Sequence, residues 1–337
     1  MENDNLIPPH KDAVDRRTAS HSDSSRHHFS RATYILIYSI FPLTLILILY
    51  ISPLTAALLP VLVTPTIWLF LHDRQRCTNE RKDPQTFLWT YILTGTVGVT
   101  VVVITQYVLS YLCAAILFGS EIGEYMDQFS KSEKDLTESD PAVLARRREM
   151  AMRWQYWVFL LLLAFVFAAV IEECLKYSAL ILARRYGRVI HERNYVTIVM
   201  AGALGFSIIE NIGFVYATVQ AGQGAGQLAL TLLERVVIAS PMHALGAVVI
   251  GINVIRRDVY KHDLNLMHVL GLPVLIHGTF DFGLFAVSAL NGNVGWVHPH
   301  GGWLLVALVW TIFMMANLAV IMRRRVALMK ECRPKFL

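Results

Sequence analysis

The chain of 337 residues is 55% hydrophobic and 16% charged, with a mean hydropathy of +0.48. Its apolar residues are gathered into long runs, which excludes an ordinary soluble globular protein. The net charge of +5 comes from basic flanks of those runs and gives no reason to expect nucleic acid as a partner. Four scattered cysteines without a CxxC pair exclude a disulfide framework and a thiolate metal site.

In chain order, residues 1–31 are polar and rich in Ser, His and Arg, and are expected to form a disordered cytosolic tail. Eight apolar runs follow: Thr33 to Tyr50, Pro53 to Leu71, Phe87 to Phe118, Trp157 to Leu182, Tyr195 to Val219, Leu228 to Ile255, Met267 to Leu290 and Trp303 to Met322. A span needs roughly 20 apolar residues to cross about 30 Å of hydrocarbon, and lipid offers no partner for exposed backbone groups. The expected fold is therefore all-α, a polytopic membrane bundle of about eight transmembrane helices. Residues 32–118 hold the first three of these, 119–154 a non-cytosolic loop, and 291–337 the last helix with a basic C-terminal tail.

Lys/Arg bias orients the chain. Arg16, Arg17, Arg26 and Arg31 precede the first span; Arg74, Arg76, Arg81 and Lys82 follow the second. Alternation puts Arg184, Arg185, Arg188, Arg256, Arg257, Lys261 and the run from Arg323 to Lys335 on that same side, so both termini are expected in the cytosol. Arg146, Arg147 and Arg148 dissent, in a long loop of mixed charge.

The fourth run contains Glu172, Glu173 and Lys176. At about 100° per residue the lysine falls angularly between the two carboxylates. An ionisable group at a span's centre costs roughly 2.5–3.5 kcal/mol, so each needs a reason to be there. The next three runs add Glu210 and Asn211 in "GFSIIENIGF", His243 in "RVVIASPMHALG", and His277 with Asp281 at i, i+4 in "LIHGTFDF". Pro241 and Pro273 free backbone carbonyls nearby. At about 1.5 Å per residue these groups lie at depths of about 15–22 Å, in one layer. Polar clusters at that depth serve either as structural ties between helices or as chemistry. Glu234 and Arg235 are expected to form a local charge pair, Cys174 to be a packing residue, and Trp296, Trp303, Trp310 and Tyr195 to anchor at the interface or face lipid.

The ordered set "EECLK", "GFSIIEN", "RVVIASPMHALG" and "LIHGTFDF" resembles the PrsW family of intramembrane proteases, within the superfamily that includes the CAAX prenyl endopeptidases and the CPBP proteins. The resemblance covers Phe159 to Leu284. Glu210 and Asp281 stand where the prenyl endopeptidases have His and Asn, which suits the PrsW branch better. The resemblance implies that residues 155–290 are a four-helix catalytic membrane core that hydrolyses peptide bonds in a membrane-protein or peptide substrate surrounded by lipid. Its implied catalytic residues are Glu172, Glu173, Lys176, Glu210, Asn211, His243, His277 and Asp281, with Gly205 and Phe206 the remaining matched positions of the second motif. Glu173 is expected as general base on a water held between the fourth and seventh spans. His243 or His277 would serve the oxyanion or the leaving amine, Asn211 would supply a further donor, and Glu210 and Asp281 would orient the histidines. On this reading no cofactor is needed. The alternative is zinc on Glu173, Glu210, His243 and His277. A proton-coupled or divalent-metal transporter is the other class that places charges at the midplane.

Overall fold

Long apolar runs with few internal breakers fold into helices because only a helix satisfies its own backbone in hydrocarbon. The computed structural model describes residues 30–76, 84–137, 139–185, 192–222, 224–295 and 297–331. Residues 1–29 of the expected disordered tail, Arg81, Lys82, Arg188, Trp296, Cys77, Cys332 and the end of the C-terminal basic run lie outside them, while Ser30 and Arg31, also expected in that tail, begin the first helix. Ten helices are labelled in order: α1 (Arg31–Ile51), α2 (Pro53–Arg76), α3 (84–118), α4 (Ile122–Ser130), α5 (Pro141–Met152), α6 (Trp154–Arg185), α7 (Glu192–Gln220), α8 (Ala225–Asp258), α9 (Leu266–Leu290) and α10 (Gly302–Glu331). Among the described residues there is no strand.

Seven helices are long and apolar enough to cross a membrane; the eighth expected span, α2, has a shorter apolar stretch, Pro53–Trp68. The fold is thus an all-α polytopic bundle of about eight spans. Wider π-helical turns interrupt α1 at Leu36–Ile40, α3 at Thr94–Gly98, α6 at Leu163–Val170 and α8 at Glu234–Ala239.

Two compact units divide the chain, residues 1–46 and 47–337. In the first, α1 begins at an N-cap: the Ser30 hydroxyl accepts from the Thr33 N–H at 3.2 Å. Tyr38, Leu43 and Ile46 project outward from it.

The second unit is built around α7, which packs against α2, α3, α6 and α8. Its contact with α3 is backbone to backbone. A Cβ on Gly205 would stand 2.0 Å from the Tyr91 carbonyl oxygen, so only glycine permits this approach. Apolar side chains on the bundle's outside are exposed, among them Val101, Ile104 and Ile116 of α3 and Leu305 and Ile312 of α10, while charged groups are buried inside. That inversion of the soluble pattern is what a lipid solvent selects.

The 119–154 interval, expected as a loop, carries α4 and α5. Arg147 is buried between them; its Nη1 donates to the Gln128 carbonyl and side-chain oxygens at 2.8 and 2.9 Å, and its Nη2 to the Val294 carbonyl. Burial pushes its guanidinium down to about 10, which leaves it charged at neutral pH and dependent on those acceptors. Arg146 bonds Glu124 at 2.7 Å and Glu149 at 2.9 Å. Two of the arginines that dissent from the charge rule, Arg146 and Arg147, are in this way partnered locally. These contacts put the interval at the same end of the bundle as the α9–α10 connection. At the other end Arg184 and Arg257 share Asp258, and Arg257 also donates to the Tyr177 hydroxyl at 3.2 Å.

Three expectations need correction. Tyr195 is buried in the core under the Arg184 guanidinium, 5.3 Å from its ring, because it lies on the inward face of α7. Trp310 faces the bundle, donating from Nε1 to the Phe280 carbonyl at 3.2 Å. Cys174 is exposed, since Glu173 and Lys176 take the inward face of α6.

Candidate functional site

The first two turns of α6 after its π-helical segment carry Glu172, Glu173 and Lys176, all buried. A π segment shifts the helical phase beyond it, and such segments cluster where side chains must be re-aimed. Lys176 Nζ donates to Glu173 Oε1 at 2.5 Å. The same oxygen accepts from His277 Nδ1 at 2.8 Å, across 104 residues of chain. The other imidazole nitrogen, Nε2, lies 3.3 Å from Asp281 Oδ2 and 3.6 Å from Glu172 Oε2. With a carboxyl group at each ring nitrogen, both contacts need a proton. They are satisfied either by an imidazolium or by a neutral ring beside a protonated Asp281.

A second pair comes from α7 and α8. His243 Nε2 is 3.1 Å from Glu210 Oε2, and Glu210 Oε1 is 3.5 Å from Arg235 Nη1. Arg235 packs over Phe214, its Cζ 3.2 Å from the ring centroid. The two histidine rings stand 5.6 Å apart and nearly perpendicular, at 84°. Phe206 meets His243 edge-on at 5.4 Å. Four helices therefore deliver Glu172, Glu173, Lys176, Glu210, His243, His277 and Asp281 to one site.

Asn211 is placed differently from the expectation. Its Nδ2 donates to Ser240 Oγ at 3.0 Å, to the Arg235 carbonyl at 3.3 Å and to Ser207 Oγ at 3.4 Å. This ties α7 to α8 and leaves the amide committed rather than available to an oxyanion. Gly205 serves the α3 contact. Glu234 and Arg235 are not a pair: Arg235 turns to Glu210, and Glu234 bonds His298 at 3.0 Å, because neighbours in a helix point in different directions.

Sequence reading also missed Gln106 of α3, whose Nε2 donates to Glu172 Oε1 at 3.0 Å. The signal was a single amide inside the apolar run "VVVITQYVLSYL", since an amide in lipid requires a partner.

Two carboxylate oxygens, Glu172 Oε2 and Glu173 Oε2, are buried with no hydrogen-bond partner. The Glu173 oxygen faces Gly246 of α8, where an added Cβ would stand 3.7 Å away. Buried acceptors left open in this way mark where a water or ligand group belongs. The chemistry of the set, two imidazoles with carboxylates, suits zinc, and the open oxygens suit it too. As the side chains stand, no group of three such residues among those described is arranged to hold an ion.

A family model described as PrsW family intramembrane metalloprotease matches residues 142–318, just over half the chain and all four helices that form the centre of the site. No curated protein and no solved structure matches the chain.

Proposed function

This chain belongs to the PrsW family of intramembrane proteases, and we propose from that premise that it cleaves membrane-embedded or membrane-proximal segments of other membrane proteins with a water activated by Glu173. One observation carries the reading. Glu173 has one oxygen held by Lys176 and His277 and the other buried, unpartnered and facing the space left by Gly246. An anchored carboxylate with one free oxygen is the geometry a general base needs.

The residues then divide the work. The free Glu173 oxygen takes a proton from water as the hydroxyl adds to the scissile carbonyl carbon. The ring nitrogen of His243 that Glu210 does not hold donates its N–H to the oxyanion, whereas His277, held at both nitrogens, positions Glu173. Collapse of the tetrahedral intermediate breaks the C–N bond, and the proton held by Glu173 passes to the leaving amine. Glu210 orients His243 and Asp281 orients His277. Lys176 neutralises part of the charge of the glutamate pair.

The family's description as a metalloprotease favours a second reading. Glu173, Glu210, His243 and His277 would hold a zinc ion, which when bound supplies Lewis acidity and a more acidic water. The family assignment leaves the transporter alternative without support.

The test is cleavage of single-span reporter proteins by the full chain purified in detergent. Glu173→Gln should lower kcat by about 10²–10⁴-fold; full activity in a folded variant overturns the assignment of the base.

A further inference from the structure

We propose that Gln106 of α3 is a positioning residue that holds Glu172 beside His277 and away from Lys176, so that Glu173 alone keeps the ammonium; the inference rests on the peptidase reading of the site. Gln106 lies outside residues 142–318, so the family match does not supply it. It is half-buried, in a helix whose neighbouring side chains Ile104 and Tyr107 face outward.

Its contact at 3.0 Å is the one hydrogen bond that Glu172 makes among the described residues. Glu173 has two donors on its Oε1; Glu172 has an amide on Oε1 and nothing on Oε2. Lys176 stands at i+4 from Glu172 and i+3 from Glu173, and both spacings bring side chains together on a helix. Yet the ammonium bonds Glu173. Glu172, turned to Gln106, keeps its open oxygen on the His277 side, 3.6 Å from Nε2. Freed from Gln106, it would compete with Glu173 for the ammonium, and the two carboxylates would lose their separate environments. An amide suits this task because it donates to a carboxyl oxygen in either protonation state and adds no charge to the layer.

A purely structural role is disfavoured by the packing nearby. Gly98 of α3 lies so close to Leu175 of α6 that an added Cβ would stand 2.8 Å from its Cδ1. Apolar contact already joins these helices without the amide.

The experiment compares the full-length wild type with Gln106→Leu and Gln106→Asn in detergent, reading reporter cleavage across pH, the melting temperature, and the pH-dependent infrared signal of buried carboxyls. The expected result for Gln106→Leu is a fall in kcat of about 10–100-fold with KM and melting temperature unchanged. The acid limb of the pH profile and the carboxyl signal should move, and Gln106→Asn should recover part of the activity. Activity within twofold of wild type, or a loss that follows a lowered melting temperature with the pH profile unmoved, overturns the proposal. A wild type that cleaves no reporter sinks the peptidase reading instead. The positioning role serves that reaction and falls with it, whereas a cleaving wild type matched by Gln106→Leu overturns the positioning role alone.

Discussion

Arg235 shows how much a single side chain in this site depends on its neighbours. Its guanidinium lies on the Phe214 ring and reaches Glu210, which in turn holds His243. Arg235→Ala should leave that carboxylate without its cation and loosen the imidazole, lowering kcat in reporter cleavage by about 10–100-fold. Arg235→Lys should recover little, because an ammonium neither lies flat on an aromatic ring nor offers a planar fork. The identity of the ionisable residues was legible in the sequence, since charges in apolar runs stand out. Their partners were not. Arg235 was read with Glu234, its neighbour in the chain, whereas the helix turns it towards α7. Gln106 carries no charge to set it apart from the polar hydroxyls of the same apolar run, although an amide in lipid needs a partner too.

At the scale of helices, two glycines separate packing from chemistry. Gly205→Ala would drive a methyl group to 2.0 Å from the Tyr91 carbonyl oxygen, and backbone cannot give way as a side chain does. Destabilisation of about 1–3 kcal/mol is expected, read as a lower melting temperature in detergent. Gly246→Ala places its methyl 3.7 Å from Glu173 Oε2, an ordinary contact. It should therefore fold normally while filling the space beside the open oxygen, so kcat falls at an unchanged melting temperature. Equal activity in Gly246→Ala would move the water elsewhere. The π-helical turns at Leu163–Val170 and Glu234–Ala239 end just before Glu172 and Ser240. Pro241 accounts for part of this, since it cannot donate into the preceding turn. No comparable breaker precedes Glu172, and there the phase change is a property of the packed bundle.

For the whole molecule, the ends of the helices sort into two groups. Arg184, Arg257 and Asp258 meet at one end, and Arg147 with Val294 at the other. On the proposed topology the first end is cytosolic, together with both termini. Epitope tags at residue 1 and residue 337 should both be shielded in sealed right-side-out vesicles and both reached after permeabilisation; opposite behaviour of the two would remove a span from the count. Metal dependence is also decided at this scale. Cleavage that survives exhaustive chelation, with no metal in the purified protein, would support glutamate-activated water alone. Loss on chelation and recovery with zinc would establish the second reading.

The sequence by itself determined the number and length of the apolar runs, the all-α class, and the presence of one ionisable layer on four successive helices. These follow from composition and from the fixed rise of a helix, which converts position in the chain into depth. Only the tertiary structure decided which groups pair: His277 with Glu173, His243 with Glu210, Gln106 with Glu172, and Asn211 with Ser240. The physical reason is that pairing depends on how each helix is rotated about its own axis and how closely its neighbours approach. Both are set by contacts between distant parts of the chain, such as glycine against backbone at Gly205, and by π-helical turns that shift the phase after the pattern has been read.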